Sequence, residues 1–313
     1  MVARVVLVLM ILTLPFSVLP KAIAQDAPNL VGLMRVDAPG VEVRRVNTQQ
    51  WVAVKTETLI AAGDSIRTTD KGRAIVTFFD GILSTSVQNS SEIRLNIFNG
   101  QADAFTAEVQ VVRGFVDFSS QRTLTESAVF RVVMPTFQVI IASGGLRTRV
   151  EESNRSAALN ISNGQATAQW KDAPVVSLTQ NTGVRLATEE SAADVVPAVS
   201  FPTLDSAIDG CETQTTVEGD VLINVRDGAG LSYKAIGGID GKSKVQAMGI
   251  TGAGDWYRIR YGGAFGWINV SRLVLSNACA GLRRYNDGAG EAGATPAPQP
   301  ALTGTPTATP APK

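Results

Sequence analysis

The chain contains no histidine. That removes Ser-His-Asp and Cys-His nucleophilic arrangements and the histidine-rich metal sites in one step. Neither an HExxH helix, a phosphate-cradling glycine loop, a dinucleotide fingerprint nor a DxDxDG calcium loop occurs, so no metal and no cofactor is expected. Carboxylates are the one remaining route to catalysis, because a glycosidase needs only two of them across a cleft. Asp64, Asp80, Asp117, Glu151 and Glu152 are available. No spacing pairs any two, and most read as strand or turn residues. A non-enzyme is expected, with a cell-wall hydrolase as the minor alternative.

Aromatic side chains are the stronger candidates for a site. Tyr233, Trp256, Tyr257, Tyr261 and Trp267 crowd a short C-terminal stretch. Along Trp256-Tyr257-Arg258-Ile259-Arg260-Tyr261 a strand places Trp256, Arg258 and Arg260 on one face and Tyr257, Ile259 and Tyr261 on the other. With Ile259 inward, Arg258 and Arg260 point out and Trp256 lies near the edge. An exposed aromatic offers a flat apolar face that stacks on sugar rings or a peptide backbone while its polar end stays hydrated. Tyr233, Trp256, Arg258, Arg260 and Trp267 are therefore the expected ligand-binding residues. The competing structural role is barrel closure for Gly266-Trp267 and turn anchoring for Asn224 and Arg226; Tyr233 and Trp256 are the expected surface groups.

The elements that must position these residues are strands. Glu92-Ile93-Arg94-Leu95-Asn96-Ile97 alternates with Ile93, Leu95 and Ile97 on one face, and Leu146–Glu151, Ala157–Ile161 and Gly183–Leu186 do the same. Ala74–Phe79 is apolar on both faces and reads as a central strand. Turns are expected at Asp80-Gly81, Asn99-Gly100, Gly144-Gly145 and Asn163-Gly164. The best helix signal, Leu204–Ile208, is short. The fold class is all-β, divided as a leader at 1–24, a β domain at 25–190, a linker at 191–210, a small β-barrel at 211–285 and a tail at 286–313.

Arg4, the apolar run Val5–Leu19 and the small residues Ala22-Ile23-Ala24 form a signal-peptide pattern. The run is broken by Pro15, Pro20 and Lys21, short of the ~20 apolar residues a membrane span needs; a retained anchor is the alternative. An exported chain has an oxidising destination, so Cys211 and Cys279, the two cysteines present, are expected to pair. Closing that loop removes unfolded-chain entropy worth roughly 4 kcal/mol. Net charge is zero over 313 residues, which argues against nucleic acid as a partner. The Pro/Thr/Ala tail cannot build a core.

Two family resemblances follow from the motifs. Asn224-Val225-Arg226-Asp227-Gly228-Ala229-Gly230, Trp256–Tyr261 and Gly266-Trp267-Ile268 resemble the bacterial SH3-like domain, with Asp227 and Ala229 where that family more often has Ser and Pro. This implies a binding module of the kind that grips peptidoglycan stems and bridges. Leu59, Gly63-Asp64-Ser65-Ile66-Arg67-Thr68, Ala74, Phe78, Asp80-Gly81 and Ser90-Ser91 resemble the first half of the FecR domain. Gly114-Phe115-Val116, Pro135–Val139 and Asn163-Gly164-Gln165-Ala166 resemble its second half. The expected protein is secreted and extracytoplasmic, with cell-wall polymer or an envelope protein or peptide as partner. A FecR-type signalling protein, which in that family controls a sigma factor across the inner membrane, is the alternative.

Overall fold

A computed structural model describes residues 29–285 except 102, 152, 154, 155, 171, 188–192, 217–221 and 275. The signal-like segment, Glu152 and the tail lie outside the described residues. The fold is all-β, as expected: two sheets of fifteen and eight strands carry it, with one α-helix among the described residues, Phe201–Asp209 (α1).

Three long strands explain the first sheet. Ala104–Ser120, Gln138–Glu151 and Ser156–Gln169 each change partners part-way along. The first half of Ala104–Ser120 pairs with Glu92–Gln101 and Ala128–Val133, and its second half with Leu83–Val87 and the second half of Gln138–Glu151. Likewise Ser156–Gln169 pairs with Thr182–Leu186 at its start and Val176–Thr179 at its end. The sheet thus folds into two layers that share these strands. One hydrophobic cluster fills the space between them, with Val76, Phe78, Leu95, Phe130 and Ile141 all buried.

Two expected turns are in fact corners in continuous strands. Gly144 pairs with Gly164, and Gly145 with Asn163, where both strands cross from one layer to the other. Gly144 and Gly164 have φ of +74° and +79°, and a β-carbon on Gly164 would strike the Ser143 carbonyl. Only glycine meets both demands. Asn99-Gly100 also lies within a strand, and the reversal follows between Gln101 and Ala104. Asp80-Gly81 is a hairpin turn as expected, joining Arg73–Phe78 to Leu83–Val87. Arg73–Phe78 is flanked on both sides, by Leu30–Ala38 and Leu83–Val87, as a central strand must be.

The alternation at 92–97 fails at its last member. A register shift between Leu95 and Ile97 turns Ile97 outward, and Phe98 takes the inward place. An extra residue on one strand inverts every later side chain.

Residues 201–209, within the span expected as a linker, form α1 over the short helix signal at Leu204–Ile208. Ser200 caps the helix by accepting the Thr203 N–H, Pro202 occupies the first turn and Gly210 ends it at φ +76°. Leu204 and Ala207 of α1 bury Ala158, Val196 and Ala198. That cover explains why Ala157–Ile161 is buried on both faces rather than alternating. Arg149 clasps Asp205 with two hydrogen bonds of 2.7 and 2.8 Å, and Arg185 reaches both Asp205 and Asp209. Burial alone would push the Asp205 carboxyl up, but the two guanidinium groups together hold it below its ordinary value.

The second sheet follows directly. Cys211 opens it and is bonded to Cys279, with Cα atoms 5.3 Å apart. Its core contains Ile223, Val225, Tyr257, Ile259 and Ile268. The C-terminal segment returns to α1: Gly281 N–H donates to Ser206 Oγ and Arg283 Nε to the Ala207 carbonyl, each at 2.9 Å. Among the described residues no helix is long and apolar enough to cross a membrane.

Candidate functional site

The site is built on the strand Trp256–Tyr261. Ile259 is fully buried, so its neighbours face outward, as the alternation requires. Antiparallel pairing with Ala264–Asn269 sets Trp256 opposite Asn269, Arg258 opposite Trp267 and Arg260 opposite Phe265. Arg226 in turn pairs with Trp267. Residues directly opposite share a face. Four of the five expected ligand residues, Trp256, Arg258, Arg260 and Trp267, thus lie on one outer face, and Arg226, Phe265 and Asn269 join them there.

The face has two parts. In the first, the Arg258 guanidinium carbon lies 4.2 Å from the Phe265 ring centroid and 4.9 Å from that of Tyr285. Arg260 is 5.9 Å from Phe265, and Trp267 meets Tyr285 edge-on at 5.9 Å. Tyr285 reaches this place because Arg283–Tyr285 pairs in parallel with Lys244–Thr251 and Gly249 has no β-carbon to obstruct the ring. In the second part a groove of about 340 Å³ opens beside Trp256. Leu222 and Leu231 stand on its rim, 63% and 77% exposed, with Asn224, Arg226, Asn269 and Arg272 supplying polar groups.

Trp256 is the main correction. It was expected to project from the surface but is only 6% exposed and forms the groove floor. Its backbone N–H donates to Thr251 Oγ1, which fixes the strand's first residue. Trp267 is 5% exposed and closes the sheet under Tyr285, the structural role weighed against ligand contact. Arg258 is half-buried between its two rings, while Arg260 is exposed. Tyr233 is 39% exposed, as expected; its ring lies over Gly228 and Gly230 and its carbonyl accepts from Arg226. Leu222, Leu231, Phe265 and Tyr285 were missed. An exposed leucine in a glycine-rich loop, Gly230-Leu231, was the available signal for the rim; Tyr285 lies beyond the motif and had none.

The β domain's carboxylates occupy other settings. Asp64 is buried and accepts from the Val46 and Ala61 backbone N–H groups and from Arg45, all within 2.9 Å. This is the turn role its motif suggests. Burial raises the Asp117 carboxyl above its ordinary value, against a 2.9 Å hydrogen bond from Gln88 and the charge of Arg147. Glu151 pairs with Arg149 at 3.3 Å. Among the described residues no group of three or more Cys, Asp or Glu side chains is placed to hold a metal ion.

Comparison with known proteins places a bacterial SH3 domain at residues 220–274. Bacteriocin BCN5 of Clostridium perfringens is 38% identical over 54 residues, covering 17% of this chain and 6% of that protein. The chain therefore spans only a small part of this relative. Two crystal structures of a candidate anti-sigma factor from Parabacteroides distasonis ATCC 8503 superpose with TM-scores of 0.38 and 0.37. Each is 14% identical, with 49% of this chain and 67% of that chain covered. Likeness at that level carries no argument, so the FecR resemblance rests on its motif residues alone.

Proposed function

We propose that this protein is a secreted, non-enzymatic cell-envelope protein whose bacterial SH3 domain binds cell-wall peptide or polymer. The observation that carries this reading is the groove on the outer sheet face, where an indole floor, two exposed leucines and a rim of amides and guanidinium groups converge. Such a surface suits a neutral or anionic chain with apolar segments, because the floor desolvates the ligand while Asn224, Arg226 and Arg272 satisfy its carbonyl and carboxylate oxygens. The domain type and the Cys211–Cys279 disulfide fit an extracytoplasmic location. The FecR-like domain then serves as a folded platform that carries the binding domain through α1. The absence of histidine supports a binding role over a catalytic one.

Titration of the chain ending at Tyr285 with soluble muropeptides, followed by ¹⁵N–¹H NMR, tests the reading. The account expects shifts confined to the Trp256 indole N–H and the amides of residues 222–231 and 269–272. Shifts elsewhere, or none, would remove it. A cleared zone on a peptidoglycan zymogram would overturn the non-enzymatic part.

A further inference from the structure

The bacterial SH3 match ends at residue 274, but the folded chain continues. The disulfide holds Cys279, and Arg283–Tyr285 adds an edge strand beside Lys244–Thr251. That strand delivers Tyr285 onto the same outer face as Trp267 and Arg258. The chain therefore leaves the described region on the candidate binding face itself. The sequence that follows, 286–313, contains six prolines among Thr and Ala, and no charged residue from Ala292 to Pro312.

The distances permit contact with the groove. Trp267, which touches Tyr285, is two residues from Asn269 on the groove wall, about 7 Å along a strand. Ten residues lie between Tyr285 and Pro296, and a chain of that length can span up to about 36 Å. A polyproline II segment has no internal hydrogen bonds and is ordered before it binds, so it docks on aromatic-lined grooves at low entropic cost. The groove matches it chemically: Leu222, Leu231 and Trp256 supply apolar lining, and Thr295-Pro296-Ala297-Pro298-Gln299-Pro300-Ala301-Leu302 carries no charge.

We propose that this proline-rich segment docks in cis on the groove and competes with the external ligand. The proposal rests on the groove being a binding surface, not on the ligand being wall material. A tethered segment acts at an effective concentration on the order of 1 mM. Docking with an intrinsic Kd of ~0.1 mM would then weaken external binding about tenfold.

A fluorescein-labelled peptide spanning Gly293–Gly304 is titrated, by anisotropy, into the mature chain and into the chain ending at Tyr285. The truncation leaves every described residue in place. Saturable binding to the truncated chain is expected, at least ~5-fold weaker to the full chain by the same competition. Binding should be lost when Pro296, Pro298 and Pro300 of the peptide are alanine, or when the truncated protein carries Leu231→Ser. No saturable rise, or equal binding to both proteins, would overturn the proposal. So would a full-chain dimer that dissociates on truncation, which would place the docking between copies. A truncated protein that binds the peptide but ignores sacculi would remove the wall reading and leave tail docking standing.

Discussion

Arg258 lies between the rings of Phe265 and Tyr285, so its charge is committed to the fold before any ligand arrives. An exposed cation over one ring contributes about 0.5–1 kcal/mol. Arg258→Ala should therefore destabilise the protein by about 1–2 kcal/mol in urea unfolding. Arg258→Lys should recover only part, because ammonium lacks the planar stacking surface. Leu231 makes the opposite prediction. It is 77% exposed, and Leu231→Ser should leave the unfolding free energy in urea unchanged within about 0.5 kcal/mol. It should still weaken ligand binding by about fivefold or more, since burying a leucine rim is worth ~1 kcal/mol or above. Strand alternation correctly placed Arg258 and Arg260 outward because Ile259 has to be inside. It could not tell that Trp256 would be recessed to the bottom of a groove, because burial at a strand's start depends on loops whose course the local pattern does not encode.

The glycine corners and α1 are where the element scale departs most from local sequence. Gly144 and Gly164 look like hairpin turns because turns and strand corners need the same positive φ. Gly164→Ala should cost about 1–3 kcal/mol, from φ strain together with the clash against Ser143. Gly81→Ala, with φ +87° but open space around the new methyl, should cost only about 1 kcal/mol. Equal costs at the two sites would contradict the corner assignment. The strands and the central strand Arg73–Phe78 were legible from local apolar patterning, but their order was not, since alternation looks the same whichever strand lies alongside. The helix was legible only as the short signal Leu204–Ile208, because nine residues hold too few turns to show a period, and its caps Ser200 and Gly210 read as ordinary loop residues. Its anchoring has a pH signature. The Asp205 carboxyl is lowered in the folded state, so its contribution is present above the unfolded value and lost as pH falls through the folded one. Removing it by Asp205→Asn should flatten the decline in stability below about pH 4.

At the scale of the whole molecule the fifteen-stranded and eight-stranded sheets are joined through one short helix. Cys279, Gly281 and Arg283 all return to the neighbourhood of α1 or of Cys211, which follows it. Reducing the disulfide should lower stability by roughly 4 kcal/mol on loop-closure grounds. It should also raise hydrogen exchange in 276–285 before 92–170, because only the former depends on the bridge for its place. The cysteine pairing was legible from the count of two and the signal-peptide pattern; the return of the C-terminal segment to the helix was not, since both partners lie outside any motif. The central claim is that the Trp256 groove captures cell-wall material. Its most direct measurement is co-sedimentation with isolated sacculi, comparing the mature chain, the chain ending at Tyr285 and its Leu231→Ser variant. The account predicts that the first two pellet, the shorter one more completely, while the variant stays largely in the supernatant. If none pellets above a protein-only control, or the variant pellets as fully as its parent, the groove is not a wall-binding site.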